Sequence, residues 1–242
     1  MPEHTVSPHH ACAGGAALTV IEGVAAPLPL PNLDTDQIMP KQFLRIIDKS
    51  GLDRGLFHDM RFDEHGAPRA DFVLNQPRYR QASVLVAGPN FGCGSSREHA
   101  VWGLQQAGIA AVIASGFGEI FYSNAFNNRL LLVMLPQAEV EQLLQALQSA
   151  ESPRVRIDLD DLSVRAPGFA AGFTLAARQR EMFRRGLDMI GLTLTQAEAI
   201  AAFARRHHAH SPWLYDVAAA TMARLRAQAD GQGRHTGEGT DV

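Results

Sequence analysis

The chain has 242 residues, of which 46% are hydrophobic and 19% are charged, and its formal net charge is −3. This composition allows a buried core in one large domain or two small ones, and the small charge gives no reason to expect nucleic acid or an anionic membrane as partner. No apolar run reaches the roughly 18 residues of a membrane-spanning helix, and the N-terminus lacks a secretory signal pattern, so the sequence predicts a cytoplasmic protein.

The first third of the chain predicts one strand followed by irregular structure. Residues 1–17 are small and polar and predict a flexible leader. Residues 18–25 alternate in hydrophobicity as a strand does. The prolines at positions 27 to 40 exclude a long helix there and predict an ordered loop. Residues 50–70 predict a surface excursion with glycine turns.

From residue 72 onward, buried strands alternate with helices. The short apolar runs 83–87, 109–115 and 130–135 are typical of strands covered on both faces. Helices are predicted between them at 97–108 and 118–128. Two strand–helix–strand units of this kind form right-handed crossovers and a parallel sheet, which predicts the α/β class.

The C-terminal part predicts helices and one hairpin. An amphipathic helix is expected at 138–150, a hairpin at 154–166 and a helix at 175–191. A further helix is predicted at 195–206, opening with Thr195 and Glu198 at the spacing of a capping box, and another amphipathic helix is expected after it. The polar, glycine-rich end predicts disorder. The predicted organisation is a leader (1–17), a main domain (18–206) and a helical extension with a disordered tail (207–242).

The stretch GPNFGCGSSREHAVWGL, residues 88–104, has the composition of an anion site. Glycines after a buried strand let backbone N–H groups approach a ligand, and the start of a helix adds unpaired donors and partial positive charge. Arg97 adds a bidentate grip on a carboxylate or phosphate, and the same donors could stabilise a Ser95 alkoxide. The alternative is that Ser95 or Ser96 caps the helix and the glycines form a turn. The spacing fits neither a P-loop nor G-x-S-x-G.

The cysteine count limits what the chain can hold by itself. Cys12 and Cys93 are too few for a disulfide framework, and too few for an iron–sulfur cluster held by several closely spaced thiolates. The sequence therefore predicts no metal site on this chain. If the protein works with such a cluster, another chain must hold it.

Four collinear motifs resemble one family. NFGCGSSREHAVWGL resembles the signature of the aconitase-superfamily swivel domain, and NLDTDQIMPKQFL, DFVLNQPRY and GLDMIGLTL resemble the bacterial small subunit of 3-isopropylmalate dehydratase. The match covers residues 18–205. The resemblance implies an aconitase-like swivel domain, with three β/β/α layers and a parallel sheet built from βαβ units, followed by C-terminal helices.

The resemblance also implies an activity and a partner. In this family a [4Fe–4S] cluster lies on the large subunit, its iron acts as a Lewis acid on the leaving hydroxyl, and the site is closed by the small subunit. The reaction interconverts 2-isopropylmalate and 3-isopropylmalate by dehydration and rehydration in leucine biosynthesis. The chain is thus expected to be part of a hydro-lyase that is active only with its cluster-bearing partner.

The family motif assigns roles to residues of the loops. Ser95 corresponds to the base that removes the proton next to a carboxylate, and Arg97 to a carboxylate anchor. Phe43 and Leu44 suit an isopropyl group, and Arg45 could bind a carboxylate. Asp36 could orient Arg97, or it could only form an Asx-turn. The expected substrate-binding residues are Thr35, Asp36, Phe43, Leu44, Arg45, Gly94 and Ser96.

Two other functions stay open from the sequence. One is the small subunit of a related hydro-lyase acting on another small hydroxy-diacid of the methylmalate or maleate type. The other is a non-catalytic binding protein that retains the fold, against which the intact Ser95, Arg97 and Asp36 argue. Nearby, His99 is interpreted as a residue of the helix surface or as one that supports the site without binding the ligand, and Trp102 is interpreted as a core residue.

Overall fold

The computed structural model describes residues 17–45 and 50–233, which form two compact units that meet in sequence at Leu192 and Thr193. The division predicted from the sequence, after residue 206, stays a prediction. The prediction of a flexible leader falls almost entirely on residues 1–16, and most of the predicted disordered tail falls on 234–242. Both stretches lie outside the described residues.

The first unit is built around one seven-stranded sheet with the order β4-β3-β2-β1-β5-β6-β7. Strands β1 to β4 are parallel neighbours, whereas β5, β6 and β7 continue the sheet from β1 as antiparallel neighbours. The strands are β1 (Val20–Leu28), β2 (Ala82–Ala87), β3 (Ala111–Ala114), β4 (Leu131–Met134), β5 (Arg154–Asp158), β6 (Ser163–Ala166) and β7 (Phe169–Gly172).

Helices cover the sheet and form the C-terminal unit. They are α1 (Thr35–Ile38), α2 (His58–Arg61), α3 (Glu98–Gln106), α4 (Glu119–Asn127), α5 (Gln137–Ser149), α6 (Ala177–Arg185), α7 (Met189–Leu194), α8 (Ala197–His210) and α9 (Val217–Gly233). The three predicted apolar strands are β2, β3 and β4, and the two helices predicted between them are α3 and α4. The α/β fold class is confirmed, and the predicted hairpin is β5–β6 with β7 added to it.

Strand β1 runs further than predicted and contains a proline. Its pairing with β5 ends at Val24, whereas its pairing with β2 continues to Leu28, with Pro27 opposite Val86. Pro27 thus lies beyond the end of β5, where the missing N–H removes no ladder hydrogen bond on that side. The strand therefore extends into the proline-rich segment, and a short connection leads from its end to α1.

The prediction that residues 50–70 form a surface segment is wrong in one respect. Leu52, Leu56 and Phe57 are fully buried and belong to the core. The segment is joined to α3 by a hydrogen bond from the Leu52 N–H to the side chain of Gln106 at 2.8 Å. Its apolar residues make it part of the support beneath α3.

The helix predicted at 175–191 is interrupted. Gly186 adopts φ 65° and ends α6, and α7 begins at Met189. Glycine reaches this left-handed conformation without the steric cost that other residues incur. The predicted capping box also fails to start α8, whose N-cap is Gln196 without a side-chain cap hydrogen bond.

The second unit begins at Thr193, inside α7, and contains α8, α9 and the turn between them. Helix α9 includes residues 230–233 of the predicted tail. Among its described side chains only Ser211 is buried. Phe203, Trp213 and Tyr215 are 59%, 72% and 67% exposed. Within the part of the chain that the structure describes, no helix is both long and apolar enough to cross a membrane.

Candidate active site

The loop after β2 is held on both sides by main-chain hydrogen bonds. Gly92 and Cys93 pair with residues 33–35 through bonds of 2.7 and 2.9 Å, and Phe91 pairs with residues 116–118 through bonds of 3.1 and 2.9 Å. The loop therefore lies between the segment that leads into α1 and the segment that leads into α4. This pairing fixes the path of the chain up to residue 93.

Left-handed backbone conformations shape the same loop. Asn90, Gly92 and Gly94 have φ values of 59°, 73° and 93°. A side chain at Gly92 would also collide with the ring of Phe121. Gly92 is therefore needed for close packing, whereas Gly94 lies at the exposed end of the loop.

The exposed end of the loop leads into α3. Gly94, Ser95 and Ser96 are exposed, and no group within the described residues accepts a hydrogen bond from their N–H groups. The N-cap of α3 is Arg97, which makes no side-chain cap hydrogen bond, so the alternative that a serine caps the helix is wrong. The unpaired donors and the helix N-terminus can both serve an anion.

Thr35 connects α1 to the serine of this loop. Asp34 caps α1, with its carboxylate accepting from the Gln37 N–H at 2.7 Å and the Gln37 side chain accepting from the Asp34 N–H at 3.0 Å. The Thr35 hydroxyl donates to the carbonyl of Ser95 at 2.8 Å. Because Thr35 is 1% exposed, its hydroxyl holds the loop and does not face open solvent.

Asp36 and Arg97 form an ion pair across the two segments. The guanidinium Nη1 of Arg97 donates to the Asp36 carboxylate. The Arg97 side chain is 11% exposed and the Asp36 side chain 42%, so the arginine is the more enclosed partner. A guanidinium has five N–H donors, so this contact orients Arg97 and leaves donors for a second carboxylate. The Asx interpretation belongs to Asp34 and not to Asp36.

A pocket of about 420 Å³ opens beside this pair. Its lining combines a cation, a carboxylate, small polar groups and two apolar side chains. The lining residues are Leu44, Ser96, Arg97, Glu98, His99, Trp102 and Asn124. A ligand with a carboxylate and a small apolar group would find complementary chemistry here.

The three predicted residues of the loop after Pro40 go to different places. Leu44 lines the pocket. Phe43 instead packs over Gly55, where a β-carbon would lie 2.6 Å from its ring, and its ring centroid is 5.1 Å from that of His58. Arg45 is exposed and adjoins residues 46–49, which the structure does not describe. The structure thus brings Leu44, but not Phe43, to the pocket.

Sequence reasoning missed the pocket wall formed by α3 and α4. Glu98, His99 and Trp102 follow Arg97 on α3, and Asn124 comes from α4. Helical spacing was the available signal, because positions 98 and 102 are one turn apart and share a face. Trp102 is half-buried, so it both packs on the core and lines the pocket.

The described residues contain no group of three or more histidine, cysteine, aspartate or glutamate side chains placed to hold a metal ion. Cys93 lies in the loop, and its Sγ contacts the Asn32 carbonyl at 3.4 Å. The hydrogen-bond donors gathered at this site are hydroxyl, N–H and guanidinium groups, which suit an anionic ligand.

Comparison with protein families gives two matches. Residues 16–138 match the aconitase C-terminal domain, which includes β1 to β4 and every loop of the site described above. Residues 189–217 match the C-terminal domain of the 3-isopropylmalate dehydratase small subunit. This second match runs beyond the end of the resemblance seen in the sequence.

Similar proteins have consistent names. A 3-isopropylmalate dehydratase small subunit 1 from Chromobacterium violaceum is 59% identical over 207 residues, covering 86% of this chain and 98% of the relative. A 3-isopropylmalate dehydratase small subunit from Rhodospirillum rubrum is 46% identical over 197 residues, covering 81% and 95%. The crystal structure of 3-isopropylmalate dehydratase from Methanocaldococcus jannaschii has a TM-score of 0.54 and 28% identity, covering 76% of this chain and 98% of the other.

Proposed function

Because this chain belongs to the family of 3-isopropylmalate dehydratase small subunits, we propose that its loop at residues 94–97 forms the substrate-facing part of a hydro-lyase active site. The enzyme interconverts 2-isopropylmalate and 3-isopropylmalate in leucine biosynthesis, in the cytoplasm. The observation that carries this proposal is the enclosed Arg97 beside exposed serines, at a pocket that also offers apolar walls.

The reaction needs a base and a carboxylate anchor. Removal of a proton from the carbon next to a carboxylate and departure of the hydroxyl give an alkene, and addition of water with the opposite regiochemistry gives the isomer. Ser95 takes and returns the proton. Arg97 binds the carboxylate that neighbours this carbon through the guanidinium donors that Asp36 does not use.

A serine can act as a base only where its alkoxide is stabilised. The N–H groups of residues 94–96 and the positive end of the nine-residue α3 supply donors that are already oriented. Thr35 supports this arrangement indirectly, because its hydroxyl fixes the Ser95 carbonyl. We therefore assign Thr35 to positioning and Ser96 and Gly94 to substrate contact through their exposed groups.

The enzyme is completed by a large subunit, and we propose that this partner holds the [4Fe–4S] cluster. The described residues of this chain do not offer a ligand set for a cluster. When bound in the partner, the cluster would supply Lewis-acid activation of the leaving hydroxyl. In the second unit, exposed Phe203 and Tyr215 are linked through the rings of His207 and His208, and an exposed ring cluster of this kind is a candidate surface for association.

Reconstitution tests the proposed function. The purified chain alone should show no cluster absorbance and no turnover, whereas co-expression with a cluster-bearing large subunit under anaerobic conditions should give isopropylmalate isomerisation. The assay should include methylmalate- and maleate-type substrates in parallel. Turnover by the isolated chain would contradict the proposal, and a complex that prefers one of the other diacids would reassign the substrate.

Leu44 and Phe43 should differ in their effects on substrate choice. Leu44→Asn removes an apolar contact from the pocket, and we expect about a tenfold loss of kcat/KM for isopropylmalate, with less loss for citraconate, which lacks the isopropyl group. Phe43→Asn should instead lower the melting temperature, because the ring packs on Gly55. Steady-state kinetics with both substrates and thermal melts of both variants decide this. Equal losses for the two substrates in Leu44→Asn would remove Leu44 from specificity.

A further inference from the structure

Asn128 connects the end of α4 to one face of α3. Its side-chain amide donates to Glu98 Oε1 at 2.6 Å and to the Asn124 carbonyl at 2.9 Å, and its Oδ1 accepts from the Trp102 indole N–H at 2.9 Å. Its own carbonyl accepts from the Gln105 side chain at 2.6 Å. One residue thus binds α3 at three positions that lie along a single helical face.

The backbone conformation at the helix terminus does not explain why residue 128 is asparagine. Asn128 has φ −98° and ψ 6°, which any residue can adopt, and the left-handed residue that ends this helix is Arg129 with φ 59°. Asparagine is favoured at helix ends where φ is positive. Its side chain also donates to the Asn124 carbonyl at the end of α4, but the backbone conformation does not require asparagine, and the contacts with Glu98 and Trp102 depend on its amide.

The contacts reach the proposed substrate pocket through their partners. Glu98 is the first residue of α3 and follows Arg97 directly, and both Glu98 and Trp102 line the pocket. Glu98 places a carboxylate beside a site proposed to bind an anion, so the direction of that carboxylate matters for binding. The hydrogen bond from Asn128 fixes this direction, and the indole contact fixes the apolar wall.

We propose that Asn128 is a positioning residue for this active site. It acts through Glu98 and Trp102, holding the start of α3 so that Arg97 presents its guanidinium to the substrate and the Glu98 carboxylate is kept aside. This inference rests on the function proposed for the pocket. The inference predicts that substrate affinity depends on which of residues 98 and 128 donates the hydrogen bond between them and which accepts it. The volume of the two side chains alone should not determine the affinity.

The first test exchanges the hydrogen-bond donor at residue 128 and the acceptor at residue 98, and it is carried out in the reconstituted complex. Asn128→Asp removes the amide donor and sets two carboxylates against each other. We expect kcat/KM to fall about tenfold, mainly through KM, because a displaced Glu98 carboxylate would repel the carboxylate of the substrate. The double variant Glu98→Gln/Asn128→Asp restores a hydrogen bond of reversed direction and the original net charge, but not the bond to the Asn124 carbonyl, so it should recover part of the loss.

A matched control separates this effect from a charge at the helix end. Asn127→Asp adds the same charge at the neighbouring exposed position and should leave kcat/KM within about twofold of the wild type, as expected for a surface change. All assays are run well below each variant's melting temperature. The inference is overturned if Asn127→Asp loses as much affinity as Asn128→Asp, or if the double variant shows no recovery.

A second readout does not depend on activity. The chain has two tryptophans, so a Trp213→Phe background reports Trp102 alone. Asn128→Ala removes the indole's acceptor and should increase acrylamide quenching of Trp102, whereas Asn128→Asp keeps an acceptor and should change it little. If the complex fails to turn over isopropylmalate, the proposed function fails while this measurement still tests the positioning. Unchanged quenching in Asn128→Ala would overturn it.

Discussion

In the reconstituted enzyme, Ser95→Ala should lower kcat by about 10²–10⁴-fold while changing KM little, because general-base catalysis typically contributes that much. Ser95 is exposed at the end of the loop, beside N–H groups without partners in the described chain. The change removes the proposed base and leaves Arg97, the proposed carboxylate anchor, in place. Substrate affinity should therefore survive when turnover does not.

The stability of this variant should stay near that of the wild type. Thr35 holds the Ser95 carbonyl and not its side chain, and the N-cap of α3 is Arg97, so alanine removes no cap and no described structural contact. Ser149→Ala, at an exposed serine at the end of α5, is the matched control and should change neither kcat nor the melt. Near-normal kcat in Ser95→Ala would exclude Ser95 as the base.

The sequence predicted the central sheet well because its signals are local. Continuous apolar runs identify β2, β3 and β4 as strands covered on both faces, and the polar, glycine-rich segment between β2 and α3 is visible without any structure. The same local signals misled at 175–191, where helical periodicity continues across Gly186 although the backbone turns there. The spacing of apolar residues does not indicate where a glycine adopts a positive φ and ends a helix.

The site was predicted only as far as its motifs are continuous in sequence. Asp36 and Arg97 each lie in a recognisable motif, so contact between them could be predicted from the sequence. The position of the Phe43 ring could not be predicted, because the space that it occupies exists only where the chain brings Gly55 against it. The contact of Asn128 with Glu98 joins residues 30 positions apart on two helices, and no local pattern indicates such a contact.

Arg97→Lys should raise KM and lower kcat/KM by roughly ten- to a hundredfold, which corresponds to the loss of one hydrogen bond to a charged group. Lysine keeps the positive charge but lacks the planar guanidinium group that can donate two parallel hydrogen bonds to one carboxylate. The guanidinium of Arg97 donates one N–H to Asp36, and the Arg97 side chain also lines the pocket. A single ammonium cannot hold both carboxylates with the same geometry.

The partner change separates orientation from charge. Asp36→Asn keeps an oxygen that accepts from Arg97 but removes the charge, so it should cost less than Arg97→Lys if orientation is the main role of Asp36. Arg165→Lys is the matched control, because Arg165 also pairs with an aspartate, Asp161, but on the exposed hairpin. The measurement is kcat and KM for each variant in the complex, with melts alongside. If Arg97→Lys left KM unchanged, the substrate carboxylate would have to be bound elsewhere, and the N–H groups of residues 94–96 would be the remaining anion donors on this loop.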